Sequence, residues 1–353
     1  MQYYTYFILL TVLISSISCT SNNSLDPKEP SKKPFCWVVG QCDSTNFAPI
    51  LFSEDGGVSW QRKGMNQIVL EGINLTDVWA VNENTIWAIG DKSSIFKSTD
   101  KGNTWKRINL GDIVSDINFM NIFVFDKSKI WVSGDKGTIV HSSDNGINWV
   151  NLCEDRFVDY AFQGVCAITK DVVYAVGGHQ EHDDGFIIRT LDGGKSWEVI
   201  NPAQNFNINR WIGAASNKNT ILIYGSKSHY ILSSDNGHSW KNDSIPSIGG
   251  GGGAPDINNL KLLDYQTWWC AMDLNTIAYT FDSGKSWTIQ ESGTSGCFML
   301  GIDNLDGKTC VSVGSPFSMP IVSKIVHTTN KGITWNETYS FNGFLSKVSF
   351  IRD

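Results

Sequence analysis

The chain has 353 residues, enough for two or three average domains, although an all-β propeller of more than about 250 residues can fold as one domain. Its 14 Trp, 18 Phe and 10 Tyr suit half-buried strands and its 33 Gly supply turns, so the composition favours β structure over long helices. A formal net charge of -7, without any cluster of Lys and Arg, argues against nucleic acid as a partner.

The first feature along the chain is an apolar run over 7–14, followed by small residues that lead directly to Cys19. This pattern predicts a signal peptide over 1–18, and the run is too short to span a bilayer. Small residues before a Cys resemble a bacterial lipoprotein signal, in which the Cys becomes the lipidated first residue. The alternative is a plain secretory signal, because residues 1–6 contain no Lys or Arg. We expect an exported lipoprotein, periplasmic or at the cell surface, anchored to a membrane through Cys19.

A polar segment follows and separates the anchor from the folded domain. Residues 19–34 are rich in Ser, Asn, Lys and Pro, which predicts a flexible linker, and the domain occupies 35–353. Seven Cys remain after Cys19, so they cannot all pair with one another. The sequence leaves undecided whether Cys36 and Cys42 form a local disulfide.

One motif, Ser/Thr-x-Asp-x-Gly-x-x-Trp, recurs seven times at intervals of 43 to 48 residues. This spacing is typical of one four-stranded propeller blade per repeat. The short acidic side chain accepts hydrogen bonds from the backbone of a tight turn, Gly takes the positive φ, and Trp covers the turn. The third motif position is therefore structural and not catalytic; it is occupied by Asp55, Asp100, Asp144, Asp192, Asp235, Asp282 and Asn330.

The two ends of the repeat array complement each other. The first repeat lacks an opening strand, whereas 344–351 reads as one strand too many after the seventh motif. We expect this terminal strand to complete the first blade and so remove the exposed sheet edge. The predicted fold is an all-β, seven-bladed β-propeller closed by its C-terminal strand.

Fragments such as GTIVHSSDNGINW and FIIRTLDGGKSW carry a family resemblance over about 35–353. The chain resembles the photosystem II stability/assembly factor family and, more broadly, the Asp-box (BNR, bacterial neuraminidase repeat) superfamily of propellers. That superfamily includes sialidases, xyloglucanases, sortilin-type receptors and assembly factors. The resemblance therefore implies the fold far more firmly than the function.

Insertions indicate where a binding face would lie. Repeats one, four and seven carry extra residues at 41–48, 178–185 and 315–323, on the face opposite the Asp boxes. The candidate binding residues on that face are Asp43, Arg156, Tyr160, His179, Glu181, His182, Asp183, Phe206, Arg210 and Trp211. The alternatives are insertions without a ligand and, for the aromatic side chains, packing between blades.

Two more specific functions, metal binding and glycoside hydrolysis, are alternatives to simple binding. His179, His182 and Asp183 are candidate metal ligands, although such a run on a loop is more often hydrated surface. A glycoside hydrolase, sialidase- or xyloglucanase-like, would need two positioned carboxylates. A sialidase would also need an arginine cluster, which six scattered Arg do not suggest. We expect a monomeric, non-catalytic platform without a cofactor that binds a protein or a glycan; a hydrolase of extracellular polysaccharide is the alternative.

Overall fold

The computed structural model describes residues 34–43, 45–64, 70, 72–152, 154–181, 184–201, 210–246, 254–316 and 318–351. Within these residues, 28 strands form seven antiparallel four-stranded sheets, which confirms the predicted all-β class. Short 3-10 helices occupy Asp155–Phe157 and Ser226–Ser228. None of the helices in the described ranges is long and apolar enough to cross a membrane. Cys19 and the predicted signal lie outside the described residues.

Each sheet is one blade, and its strands run outward from the centre. Blade one contains β28 (Leu345–Phe350), β1 (Cys36–Gly40), β2 (Ile50–Ser53) and β3 (Gln61–Arg62). Blade two contains β4 (Leu75–Ala80), β5 (Ile86–Gly90), β6 (Ser94–Ser98) and β7 (Lys106–Arg107). Blade three contains β8 (Phe119–Phe125), β9 (Lys129–Gly134), β10 (Ile139–Ser142) and β11 (Val150–Asn151). Blade four contains β12 (Tyr160–Ala167), β13 (Val173–His179), β14 (Gly185–Thr190) and β15 (Glu198–Ile200).

The remaining blades repeat this order. Blade five contains β16 (Trp211–Asn217), β17 (Thr220–Gly225), β18 (His229–Ser233) and β19 (Lys241–Ser244). Blade six contains β20 (Ile257–Leu262), β21 (Trp268–Met272), β22 (Thr276–Thr280) and β23 (Thr288–Glu291). Blade seven contains β24 (Phe298–Asn304), β25 (Cys310–Ser315), β26 (Val322–Thr328) and β27 (Asn336–Asn342).

The terminal strand closes the ring as predicted. β28 pairs antiparallel with β1, with Trp37 opposite Ser349 and Val38 opposite Val348. The seven innermost strands contact one another in a complete cycle, from β28 through β4, β8, β12, β16, β20 and β24 back to β28. The seven-bladed propeller is therefore confirmed. Cys36 and Cys42 are both free, and the Cys42 thiol donates instead to the carbonyl of Ile73 at 3.0 Å.

The Asp boxes have the predicted geometry, as the fifth copy shows. Asp235 Oδ1 accepts the backbone N–H groups of His238 at 3.1 Å and Ser239 at 2.9 Å. Ser233 Oγ accepts the N–H of Gly237 at 2.8 Å, and Gly237 takes a φ of +80°. Because the carboxylate satisfies several turn donors at once, the box fixes the turn between the third and fourth strands.

The boxes also join neighbouring blades. The box Trp packs edge-to-face against an aromatic residue on the second strand of the preceding blade: Trp149 on Trp87 at 6.2 Å, Trp197 on Trp131 at 6.3 Å and Trp240 on Tyr174 at 5.8 Å. The box Gly lies against the same aromatic residues, so the turn can approach closely only without a Cβ. The core is accordingly built between the sheets.

The inner edge of the ring is closed by side chains. An innermost strand has no strand partner on its channel side, so its N–H groups need other acceptors. Asp77 Oδ2 accepts the N–H of Ile122 at 3.1 Å, and Asn121 Oδ1 accepts the N–H of Val165 at 2.9 Å, each on the next blade. These bonds hold neighbouring inner strands in a fixed register around a central channel.

Candidate functional site

Strand alternation divides the loops between two faces of the disc. The Asp boxes share one end with the turns between the first and second strands; we call this end the Asp-box face. The turns between the second and third strands lie at the opposite end with the connections between blades; we call it the loop face. The candidate binding residues from the sequence belong to the loop face, so we describe that face first.

Blade four carries a group of three half-buried rings on the loop face, which we call the aromatic patch: Tyr160, His179 and Phe186. Tyr160 stands opposite His179 in the register of β12 and β13. The Tyr160 ring stacks on Phe186 with centroids 4.1 Å apart and meets the His179 ring edge-on at 5.2 Å. The structure thus brings together two residues, Tyr160 and His179, that the sequence placed on this face separately.

Hydrogen bonds from two backbone N–H groups hold the start of the loop after β13. The N–H of Gln180 donates to the carbonyl of Asp159 at 2.9 Å, and the N–H of Glu181 donates to His179 Nδ1 at 3.1 Å. His179 Nδ1 therefore accepts this hydrogen bond. Glu181 is exposed. Among the residues that the structure describes, no group of three His, Cys, Asp or Glu could hold a metal ion.

Three further residues that the sequence placed on this face lie outside the described residues: His182, Asp183 and Phe206. The metal prediction that includes His182 and Asp183 therefore stays a prediction.

Asp43 and Arg156 each have a partner within the fold. Asp43 forms a 2.8 Å ion pair with Arg62 and accepts hydrogen bonds from Thr45. Partial burial raises the pKa of Asp43, but the bonds from Thr45 and Arg62 outweigh it and leave the pKa below its ordinary value. Arg156 donates to Glu154 at 2.6 Å and lies 4.5 Å above the ring of Phe157.

Arg210 and Trp211, neighbours in the chain, occupy different environments. Arg210 is exposed on the loop face. Trp211 is only 3% exposed and packs with Tyr174, Ile221 and other residues between blades four and five. Trp211 is therefore corrected from a candidate surface anchor to a core residue, because the first position of β16 turns its indole toward blade four.

A cavity that sequence reasoning missed opens at the Asp-box end of the channel. Its volume is about 290 Å³, and residues at the ends of the innermost strands line it. Trp79, Phe123 and Lys261 line it from equivalent positions, since each stands opposite a Trp of the second strand in its own blade. Aligning the inner strands by repeat would have revealed this group, because the three positions coincide when the blades are superposed.

The cavity combines aromatic rings, amides and one cation. The Trp79 and Phe123 rings meet edge-on at 5.1 Å, and Lys261 Nζ lies 5.4 Å from the centre of the Trp79 ring. Asn304 is 3% exposed, and neither its amide oxygen nor its amide nitrogen has a hydrogen-bond partner in the described structure. The described residues that line the cavity include no Asp or Glu.

Lys347 reaches from blade one toward its neighbours inside the same channel. Its Nζ donates to the carbonyls of Leu300 at 3.1 Å and Asn258 at 3.3 Å. Burial lowers the pKa of Lys347 to about 8, although the nearby Asp77 carboxylate opposes this shift. The channel therefore holds a second ammonium group besides Lys261.

Comparisons with known proteins agree with this architecture. Residues 35–141 match the sequence model of the photosynthesis system II assembly factor YCF48, which confirms the predicted family resemblance. No curated protein sequence matches the chain.

Similar solved structures include two of YCF48 and one glycoside hydrolase. YCF48 bound to a D1 peptide is 16% identical, with 79% of this chain and 93% of that chain covered and a TM-score of 0.56. YCF48 from Cyanidioschyzon merolae is 15% identical, with 86% and 98% covered and a TM-score of 0.60. The Niastella koreensis GH74 enzyme is 14% identical, with 90% of this chain but 59% of that chain covered and a TM-score of 0.55. At these identities the likenesses show the fold.

Proposed function

We propose that this propeller is a non-catalytic, membrane-tethered platform that binds a protein partner through its loop face. The observation that carries the proposal is the aromatic patch of blade four, whose rings are half-buried and locked by strand pairing. One similar solved structure, YCF48, is described with a bound D1 peptide, which supports a peptide or protein as the kind of partner.

Phe157 and Arg156 lie directly beside the aromatic patch. Phe157, only 2% exposed, meets Phe186 at 5.7 Å and Tyr160 at 6.4 Å, and the Arg156 guanidinium covers its ring. Tyr and Arg are the side chains most often found as energetic anchors of interfaces. Because packing already fixes these rings, a partner would not have to order them on binding, and less conformational entropy would be lost.

A hydrolase needs a different arrangement from the one found in the central cavity. Two carboxylates at a separation of about 5 to 10 Å would have to face the substrate. The described residues that line the cavity include Trp79, Phe123, Lys261 and several asparagines, and none of them is the Asp or Glu that such a pair requires. A hydrolysis screen on xyloglucan and related polysaccharides tests this directly, and turnover would contradict the platform.

The binding test uses the soluble portion from residue 21 onward and peptides selected from a displayed random library. We expect selected peptides to lose at least about tenfold in affinity with Tyr160→Ala or with Arg156→Met, the second change being at an exposed side chain. Tyr265→Ala is the matched control, because Tyr265 is 61% exposed in a turn of the Asp-box face. Equal losses for control and patch variants, or no loss at all, would refute the assignment of the patch.

The tether is tested separately. Wild-type protein expressed with its full leader should enter the detergent phase on Triton X-114 partitioning, and Cys19→Ala should move to the aqueous phase. Cys42→Ala, which changes a free thiol inside the propeller, should partition as wild type. An aqueous wild-type protein would favour the plain secretory signal instead.

A further inference from the structure

The polypeptide enters the propeller on the Asp-box face, at blade one. The carbonyl of Pro34 accepts the N–H of Gly56 in the first Asp box at 3.0 Å, and β1 begins two residues after Pro34, at Cys36. Cys36 stands opposite Ser53, the first residue of the same box. A lipid on Cys19 would therefore hold the disc to a membrane from this side.

The predicted linker keeps the lipid anchor close to that entry point. A flexible chain of the 15 residues from Cys19 to Pro34 has an r.m.s. length of about 21 Å. A compact domain of about 320 residues has a radius of gyration of about 20 Å. The anchor thus stays, on average, within about one such radius of blade one, and the Asp-box face around this blade lies nearest to the lipid.

Exposed apolar side chains lie on the same part of the Asp-box face. Val58 belongs to the Asp box of blade one, Ile333 to that of blade seven and Phe281 to that of blade six, and all three are exposed. Tyr265, in the turn between the first two strands of blade six, is exposed as well. We call these four residues the anchor arc, because their blades are consecutive in the ring and include the entry point.

The fold does not require apolar residues at the tips of these turns. Val58 and Ile333 follow the box Gly directly, and other boxes have Asn103, Lys195 or Lys285 at this position. The side chain here can therefore be polar without breaking the turn. Single exposed apolar side chains are ordinary, but a group of them beside a membrane tether indicates a surface for contact.

Lysines accompany the anchor arc, as is usual where a protein meets lipid and water together. Lys331 Nζ lies 5.7 Å from the centre of the Phe281 ring, and Lys285 is exposed on the same box as Phe281. The carboxylates of Asp264 and Asp306 accept backbone N–H groups of their own turns. Because lysine is depleted in protein interfaces but places its stem along acyl chains with its ammonium group in water, this mixture favours lipid over a protein partner.

We propose that the anchor arc docks onto the phospholipid surface to which Cys19 tethers the chain. The inference rests on the membrane tether proposed above and adds the orientation of the disc. Weak contacts are sufficient, because the linker holds the arc at a high effective concentration near the lipid. Blade four lies across the ring from blades seven and one, so docking leaves the aromatic patch pointing away from the membrane.

The emission of the environment-sensitive fluorophore NBD measures docking on phosphatidylcholine vesicles that contain a nickel-chelating lipid. The soluble portion from residue 21 carries an N-terminal hexahistidine tag and the substitutions Cys42→Ala and Cys153→Ala; the other five cysteines are buried. NBD is attached at Thr329→Cys in the seventh box or at Ser143→Cys, the same position of the third box. We expect the emission to shift to shorter wavelength on the vesicles at position 329 and to stay unchanged at position 143.

Ile333→Ser tests the contact itself, with NBD at position 329. The docking equilibrium constant, obtained from the fraction of shifted emission, should fall about tenfold, the value of withdrawing one aliphatic side chain from an apolar environment. Ile147→Ser is the matched control, because Ile147 holds the same box position in blade three and is 79% exposed, against 75% for Ile333. This control should dock like the parent protein.

Each outcome decides the proposal. A shift at both probe positions, no shift at position 329, or equal losses for Ile333→Ser and Ile147→Ser would overturn it. Because the nickel lipid replaces the acyl anchor, an aqueous wild-type protein in the Triton X-114 experiment would contradict the tether without altering this result. Tyr160→Ala should dock like the parent protein, so failure of loop-face binding is distinguishable as well.

Discussion

Gly237→Ala tests how the Asp boxes join the blades. Gly237 has a φ of +80°, where an alanine costs about 1–2 kcal/mol of folding free energy. An added Cβ would also lie closer to the Tyr174 hydroxyl of the preceding blade than van der Waals contact allows. Overpacking of this kind costs about 1–3 kcal/mol, so the free energy of unfolding should fall by about 2–5 kcal/mol.

Gly102→Ala separates the two contributions. Gly102 holds the same box position with a φ of +79°, but its added Cβ would lie 3.3 Å from the nearest atom, Trp37 Nε1. This contact requires only a small shift, so we expect a loss of about 1–2 kcal/mol from the backbone alone. Adding Tyr174→Phe to Gly237→Ala removes the clashing oxygen and should restore part of the packing loss.

Urea unfolding, followed by circular dichroism, gives the free energy of unfolding of wild type, both glycine variants and the double variant. The single variant Tyr174→Phe completes the double-mutant cycle. The packing argument requires a favourable coupling between the substitutions Gly237→Ala and Tyr174→Phe. Equal destabilisation by Gly237→Ala and Gly102→Ala, together with no coupling in the cycle, would show that the box glycines act through backbone conformation only.

Two further predictions concern pH. Hydrogen bonds from Asn148 to Asp144 and from Ser196 to Asp192 lower the pKa of each carboxyl to about 2, below its unfolded value. The ionised carboxylates therefore stabilise the fold above about pH 4, and this stabilisation is lost as pH falls toward 2. Urea midpoints should therefore drop over this range, and less steeply for Asp192→Asn. For Lys347, burial lowers the folded pKa from 10.5 to about 8, so between about pH 8 and pH 10.5 the unfolded chain binds more protons than the folded protein. The free energy of unfolding should therefore rise with pH across this range, by up to about 3 kcal/mol. Lys347→Met should remove this rise in urea titrations; an unchanged rise would contradict the assignment.

The blade number and ring closure could be predicted because they depend on local signals. Each Asp box fixes its own turn through contacts within a few residues, as in Asp235 with Ser239. The unpaired terminal strand has one economical partner, the incomplete first sheet, and β28 does pair with β1.

Trp211 shows where local reasoning fails. Nothing in its neighbourhood along the chain distinguishes it from an exposed aromatic, since Arg210 beside it is exposed. Its burial is decided by Tyr174 on the preceding blade and by Ile221 on its own blade. The side chains of the neighbouring blade therefore decide whether an aromatic residue at the start of an inner strand is buried in the core or exposed for binding.

The central cavity extends the same reasoning to residues that are far apart in the chain. Trp79 and Phe123 come from neighbouring blades, two and three, whereas Lys261 reaches the Trp79 ring from blade six, on the other side of the channel. The inner strands that carry them are held by acceptors such as Asp77 and Asn121, which cap N–H groups of the next blade. Because these bonds join neighbouring inner strands, they also fix the shape of the cavity between them. The bonds that hold the ring together therefore also set the positions of the side chains around the channel.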